Sequence, residues 1–243
     1  MSVELPKDWE ILTLRDVCKE LQSGKRPKGG VQGILSGVPS IGAEHLDNNG
    51  GFKFSKIKFV PEEFAKQMKK GVLKKDDIVI VKDGATTGKA SFVSNDFPFD
   101  FAVINEHVFI LRVTENIIPR FAFYKIWSSA GNKQILQDFR GAAQGGISSG
   151  FIDKVTIPFP PKPIQQAIVS KIEELFSELD KGIEQLKTAQ QQLKTYRQSV
   201  LKWAFEGKLT KEWREKTGGR IPAAPLEGNI AAEPEAEYVI QKN

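Results

Sequence analysis

The stretch IPFPPKPIQQAIVSKIEELFSELDKGIEQLK, residues 157–187, joins a proline-rich strand to a long amphipathic helix. Four prolines fall within residues 158–163, and after them the apolar residues recur every three or four positions. Proline is confined to edge strands and to the first turn of a helix, so the strand is expected to end a domain here and a helix to begin.

The helix is predicted to run from about residue 163 to 206, or about 66 Å at 1.5 Å per residue. Such a length exceeds the diameter of a 160-residue globule, so most of the helix is expected to project. Its apolar positions form an a/d seam, interrupted at Gly182 and Ala189. A projecting seam needs a partner helix; burial within the single chain is the less favoured alternative. The seam residues are Ile168, Ile172, Leu175, Leu179, Leu186, Leu193, Tyr196 and Val200.

The residues before the prolines predict an α+β fold: a globular mixed α/β domain followed by one long projecting coiled-coil-type helix. We expect domain boundaries at 1–160, at 161–206 for the helix, and at 207–243 for the helix end and a flexible tail rich in Ala, Pro and Glu. The expected strands are 52–60, 76–84 (paired with 89–94), 103–113 and a last strand before Pro160. The expected helices are one or two turns that end near Gly24, a helix that starts at Pro61 and ends just before Gly71, and two helices over 117–139 that are separated near Gly131.

Composition excludes several classes of protein. No apolar run approaches the length of a membrane span, and the N-terminus has no signal-peptide pattern. Cys18 is the only cysteine, so an intrachain disulfide is excluded and a reducing cytoplasm is expected. One cysteine with His45 and His107 does not supply a structural zinc site.

Charge is unevenly distributed along the chain, whose net charge is +5. Residues 19–89 hold fourteen Lys and Arg against eight Asp and Glu, whereas residues 217–243 hold two against four. A basic excess in one region suits a polyanion such as nucleic acid, and a solvated surface remains an equal alternative.

Three glycine-containing loops carry polar donors: the basic loop (24–30), the hairpin loop (82–89) and the glycine loop (140–149). The hairpin loop fails as a phosphate-binding P-loop, because its two glycines are one position too close and Ala90 replaces the required Ser or Thr. Lys, Thr, Arg and Gln suit contacts to DNA phosphates and base edges instead. The alternatives are that the hairpin loop is a plain β-hairpin turn and that the glycine loop is a tight connection between a helix and the last strand. The predicted DNA contacts are Lys25, Arg26, Lys28, Lys82, Thr86, Thr87, Lys89, Arg140, Gln144 and Ser148.

The sequence contains no recognisable set of catalytic residues. An adenine methyltransferase needs an Asn/Asp-Pro-Pro-aromatic site, and the one Pro-Pro pair follows Phe159. Glu206-Gly207-Lys208 lacks the acidic companions of a nuclease. His107 is interpreted as structural or as a surface contact, and His45 as a loop-placed polar contact.

Four segments in order carry a family resemblance: LPKDWEILTLRDV, GAAQGGIS, IPFPP followed by QQAIVSKIEELFSELDKGIEQLK, and LKWAFEGKLT. Together they resemble the specificity subunit of type I restriction-modification systems over residues 5–215. The family usually has Glu-Gln just after the prolines, whereas Ile164-Gln165-Gln166 stands here. The family also usually repeats the unit twice, so this chain resembles a half-size form or one half of a full subunit.

The resemblance implies a non-catalytic subunit that reads a half-site of a bipartite target in double-stranded DNA. It implies partners as well: methyltransferase (M) subunits docked on the helix, restriction (R) subunits, and a second copy of the chain or another specificity half, with no membrane. No cofactor is expected on this chain; S-adenosylmethionine, ATP and Mg belong to the partner subunits. The helix would then set the distance between two DNA-reading domains.

Two other functions stay open. One is the recognition domain of a single-chain type II enzyme, disfavoured because the opening motif directly follows Met1. The other is a coiled-coil protein-interaction adaptor without DNA specificity, which predicts no DNA binding at any salt concentration.

Overall fold

The centre of the fold is strand β5 (Ile78–Val81), whose sequence IVIV is buried at every position. β-branched side chains favour a strand, and full burial requires packing on both faces. The structure is a computed structural model that describes residues 5–141 and 145–219. In it, β5 pairs antiparallel with β8 (Val108–Val113) and with β6 (Ala90–Phe92). The predicted pairing of 76–84 with 89–94 is confirmed.

The described part of the domain contains three sheets. The largest has the order β2 (Cys18–Ser23), β8, β5, β6. A three-stranded sheet has the order β4 (Lys58–Val60), β3 (Val38–Ile41), β7 (Val103–Ile104), and β1 (Glu10–Thr13) pairs with β9 (Thr156–Phe159). The first and last strands of the domain are therefore hydrogen-bonded to each other.

Among the described residues, the helices are short apart from one. They are α1 (Leu14–Val17), α2 (Glu62–Lys66), α3 (Pro119–Trp127), α4 (Ser129–Ile135), α5 (Lys162–Phe205) and α6 (Lys211–Thr217), with 3₁₀ turns at Ala43–His45, Leu136–Asp138 and Ser149–Asp153. The range of α5 agrees with the predicted helix to within one residue at each end. The α+β fold with a long helix after the sheets is confirmed.

Two apolar clusters cover the two faces of the largest sheet. Ile78 and Ile80 join a cluster with α3, α4 and the first turns of α5, whereas Val79 and Val81 join a second cluster around Ile41. Because side chains alternate between the two faces of a strand, β5 contributes residues to two apolar cores.

An ion pair links Arg112 of β8 to the residue before β5, with the guanidinium 2.7 and 2.9 Å from the carboxylate oxygens of buried Asp77.

Five local predictions are wrong. The predicted strand 103–113 is divided at residues 105–107 into β7 and β8, which belong to different sheets. The turns expected to end near Gly24 comprise only α1, and the chain then enters β2, because its apolar side chains pack on β8. Of the predicted strand 52–60, Lys58–Val60 forms β4, and Phe52 forms an isolated antiparallel bridge with Leu46. Helix α2 ends at Lys66 rather than near Gly71. The break in 117–139 falls at Ser128, whose hydroxyl caps α4 by accepting from the N–H of Gly131 at 3.1 Å.

The chain divides into two compact units, Met1–Ser177 and Glu178–Asn243. The first contains the three sheets, helices α1 to α4 and the first turns of α5. In the second, Arg214 of α6 donates to the carbonyl of Gly207 at 2.6 Å and fixes the turn after α5. In the described ranges, no helix is long and apolar enough to cross a membrane.

Candidate nucleic-acid interface

The hairpin loop is a tight turn between β5 and β6. The N–H of Val81 donates to Lys89 at 2.8 Å, and the N–H of Gly88 donates to Val81 at 2.9 Å. Gly88 adopts a φ of 84°, a conformation that disfavours residues with a Cβ, and its carbonyl accepts from the Asn132 side chain at 2.8 Å. This conformation leaves Thr86 exposed at the tip.

The other predicted contacts of this loop have local partners. The Thr87 hydroxyl donates to the carbonyl of Gly84 at 2.7 Å, which stabilises the turn. The Lys82 ammonium lies 5.8 Å from the centre of the Phe109 ring. Lys82 and Lys89 are half-exposed, so both retain access to solvent.

The glycine loop is bound to the hairpin loop by backbone hydrogen bonds. Ile147 donates to the carbonyl of Lys82 at 2.8 Å, and Gly84 donates to Gly145 at 3.3 Å. Arg140 and Gly146 exchange hydrogen bonds at 2.9 and 3.0 Å. The two loops therefore form one continuous surface. Predicted contact Gln144 lies outside the described residues.

Asp138 organises the base of the glycine loop. It is buried, and it accepts from the Ser148 backbone N–H at 2.7 Å and from the Ser148 hydroxyl at 2.6 Å. Burial opposes ionisation of Asp138, but these hydrogen bonds and the nearby Arg140 guanidinium outweigh it and lower its pKa. The Ser148 hydroxyl is thus occupied, whereas the Arg140 side chain is exposed with its Nη2 3.4 Å from Asp138.

The basic loop begins at Gly24, which lies against the backbone that follows β7. A Cβ at Gly24 would overlap the carbonyl oxygens of Ile104 and Asn105. After this close approach, Lys25 and Lys28 are exposed, and Arg26 forms an ion pair with Glu106 at 2.8 Å through its Nε.

Residues 105–107, between β7 and β8, connect the basic loop to the hairpin loop, to which the glycine loop is bound. The carbonyl of His107 accepts from the N–H of Lys82 at 2.8 Å, and its Nδ1 lies 2.6 Å from the Asp83 carboxylate. Glu106 contacts the basic loop through Arg26. Sequence reasoning treated His107 as structural or as a surface contact, and the structure places it where the loops meet. The sequence feature that could have indicated this position is the polar triplet Asn-Glu-His between two apolar strands.

Lys69 and Lys70 are not among the DNA contacts predicted from the sequence. They are exposed beyond α2 and line a surface groove with Lys25, Phe64 and Met68. Gly71 lies beside Gly24, so this groove continues the surface of the basic loop. The signal was a lysine pair directly before a glycine.

His45 does form polar contacts, but they lie inside the domain and not on an accessible loop surface. Its ring is 1% exposed; Nδ1 accepts from the N–H of Gly42 at 2.9 Å, and Nε2 lies 3.2 Å from the carbonyl of Lys56. His45 therefore stabilises a turn inside the domain. The described residues contain no group of three metal-ligating side chains.

The start of α5 is anchored to the domain by one buried amide. Gln165 is fully buried; its Oε1 accepts from the N–H of Ile118 at 2.8 Å, and its Nε2 donates to Pro160 at 2.9 Å. Phe176 lies edge-on to Tyr124 and Trp127, with ring centres 6.0 and 5.9 Å apart. Gln165, at the point of departure from the family pattern, therefore holds the helix in place.

The predicted seam divides between the two units. Ile168 packs against the core of its own domain, Ile172 is half-exposed and Leu175 is exposed. In the second unit Leu179, Leu186, Leu193 and Tyr196 are exposed, and Val200 is half-exposed. The domain thus accounts for the first seam position, whereas the later positions contact no apolar core among the described residues.

Comparisons with known proteins bear on this surface. The specificity subunit of the type I restriction enzyme EcoKI from Escherichia coli K12 is 26% identical over 213 residues, which are 87% of this chain and 45% of that protein. The chain spans about half the length, or less, of the curated relatives it matches.

Solved structures share the fold. A chain described under "Structural basis underlying complex assembly and conformational transition of the type I R-M system" has a TM-score of 0.61 at 17% identity, over 84% of this chain and 47% of that one. The HsdS subunit from Thermoanaerobacter tengcongensis has a TM-score of 0.53 at 18% identity, over 74% and 40% of the two chains.

A family model described as "Type I restriction modification DNA specificity domain" matches residues 6–188. This range contains the three loops, residues 105–107 and the start of α5. Because the match covers well over half of the sequence, the chain belongs to the type I restriction modification DNA specificity domain family.

Proposed function

We propose that this chain is a non-catalytic DNA-recognition subunit of a type I restriction-modification complex, and that its domain reads one half-site of a bipartite target. One observation carries the proposal: the basic loop and the hairpin loop meet at residues 105–107, and the glycine loop is hydrogen-bonded to the hairpin loop, so that three separately predicted loops with basic side chains adjoin one another. Membership of a DNA specificity family supports the same conclusion. Such a role places the chain in the cytoplasm.

The charged side chains suit the DNA backbone. Lys25 and Lys28 are exposed and form no ion pair with any described residue, and Lys69 and Lys70 extend the same surface. Lysines that contact phosphates release counterions, so each contact makes binding more sensitive to salt. Thr86 and Arg140, both exposed, are placed to reach base edges or phosphates from the neighbouring loops.

The length of the chain supports the half-site. Curated relatives are about twice as long or longer, and the aligned part covers 45% of the EcoKI subunit. A single reading domain needs a second one to specify a bipartite target. We propose that a second copy, or another specificity unit, supplies it through the exposed seam of α5.

The helix also offers a surface for partners. Exposed Leu186, Leu193 and Tyr196 present apolar area that water disfavours. We propose that methyltransferase subunits dock on this helix, with restriction subunits added to the complex. S-adenosylmethionine, ATP and Mg would then be held by those partners.

The salt dependence of DNA binding tests the proposal. The full chain is titrated with its target duplex over a range of salt concentrations, and log K is plotted against log salt. Replacing Lys25 and Lys28 by Gln should reduce the magnitude of the slope by about 2 and weaken binding to all sequences alike.

Lys19 and Lys75 provide the matched control. The pairs Ser23 with Phe109 and Val81 with Val108 lie at the loop end of the largest sheet. Lys19 and Lys75 lie near its opposite end, so replacing both by Gln should leave the slope unchanged. A flat salt response of the unmodified chain would contradict DNA recognition and favour a protein-interaction adaptor.

A further inference from the structure

A line of four polar side chains connects the basic loop to the hairpin loop. Arg26 Nε lies 2.8 Å from Glu106 Oε1, and the same oxygen lies 3.4 Å from His107 Nε2. The Nδ1 atom of His107 lies 2.6 Å from Asp83 Oδ1. The line starts at an exposed guanidinium and ends on a residue held by the backbone of the glycine loop, since Asp83 bridges to Gly146.

Arg26 is the accessible end of this line. Its side chain is 61% exposed, against 29% for Glu106. Nε is the nitrogen nearest to Glu106 in the ion pair, and no side-chain nitrogen of Arg26 forms a hydrogen bond with residues 5–141 or 145–219. The planar pair of terminal nitrogens matches O6 and N7 of guanine, the commonest specific contact in the major groove.

Glu106 is the less exposed partner of the ion pair. Its Oε2 has less than 1 Å² of exposed surface and no hydrogen-bond partner in the described ranges. Native proteins rarely leave a buried carboxylate oxygen without a partner, so such an atom points to a functional constraint. The backbone beside it is fixed, because the N–H of His107 donates to the Asn105 side chain at 3.0 Å.

The ion pair distinguishes Arg26 from its neighbours on the basic loop. Lys25 and Lys28 form no ion pair with the described residues, as suits contacts to phosphate. A carboxylate beside Arg26 reduces its net attraction for phosphate but restricts the direction of its guanidinium. Restricted direction is what a base contact requires, because a bidentate hydrogen bond tolerates little rotation.

We propose that Arg26 determines specificity for a guanine in the target half-site, and that Glu106, His107 and Asp83 are positioning residues that hold its guanidinium in the reading orientation. This inference deepens the proposed DNA-recognition function and rests on it. Lysine at position 26 would keep the charge and lose the planar pair of donors.

The test is a selection from a random duplex pool with the full chain, bound to its methyltransferase partner. The unmodified chain should select a motif containing at least one strongly preferred guanine. Arg26→Lys should lower the preference for guanine at one position by about tenfold or more and leave the other positions unchanged. Glu106→Gln should relax the same position, to a smaller degree, with unchanged thermal unfolding.

Lys28→Gln is the control on the same loop, and it should weaken binding to all sequences alike without changing the motif. If Arg26→Lys keeps the motif, or behaves like Lys28→Gln, Arg26 is not a base reader. If Glu106→Gln leaves the position unchanged, the positioning role fails. If the unmodified chain selects no motif, the proposed function itself fails, and this inference with it.

Discussion

Gln165 is a buried polar residue that connects the long helix to the backbone of the domain. It is fully buried, and both ends of its amide bond the backbone of the domain. Buried polar groups are tolerated only when they are hydrogen-bonded. One side chain therefore fixes where the long helix leaves the domain.

Replacing Gln165 by Leu should lower the free energy of unfolding by about 1–3 kcal/mol, because the N–H of Ile118 and the carbonyl of Pro160 lose their partner. Urea denaturation of the full chain measures this. The adjacent Gln166→Leu, at an exposed position, should change stability by about 0.5 kcal/mol or less. Equal effects of the two substitutions would contradict the anchoring role.

Two carboxylates near the domain ends make stability depend on pH. Hydrogen bonds from Arg15 lower the pKa of Asp153, and those from the Thr13 hydroxyl and backbone N–H lower the pKa of Asp16. An unfolded aspartate titrates near about 3.9. The stabilisation is therefore complete above that pH and is lost as the pH falls through the lower folded-state pKa values.

Asp153→Asn should accordingly flatten the decline of unfolding free energy as the pH falls below about 4, as measured by urea denaturation at several pH values. Asp96→Asn is the control, since Asp96 is exposed and forms no ion pair with a described residue. A steeper decline in Asp153→Asn than in the unmodified chain would contradict the assigned direction.

At the scale of elements, sequence patterns predicted the long helix and β5 because each follows from local periodicity. The basic, hairpin and glycine loops were also predicted as loops from their glycines. Their convergence was not predictable, because it depends on the pairing of β2 and β5 with β8 across long sequence separations. The same non-local packing turned the residues after Val17 into β2.

The later part of α5 is the element whose exposed face needs a partner. Leu186→Glu together with Leu193→Glu should abolish association through the helix, measured as mass by light scattering and as co-purification of the methyltransferase partner. The first unit should keep its unfolding midpoint. Gln191→Glu adds like charge on the opposite side of the helix and should have no effect; persistent association of the double variant would contradict docking on the seam.

At the scale of the whole molecule, we propose that one reading domain and one helix act together. The chain belongs to a DNA specificity family, and residues 105–107 connect its basic loop to the hairpin loop, to which the glycine loop is bound. The chain aligns with about half of the EcoKI subunit. Both observations support the proposal of a half-site reader that works with a second unit.

The most direct measurement is a methylome. The chain is expressed with its methyltransferase partner in a methylation-free host, and modified adenines are mapped by single-molecule sequencing. We predict a bipartite target with a fixed gap: a split palindrome if two copies pair, and an asymmetric split target if another specificity unit supplies the second half. Sequence-independent adenine methylation, or none at all while the partner is shown to be bound, would contradict DNA recognition by this chain.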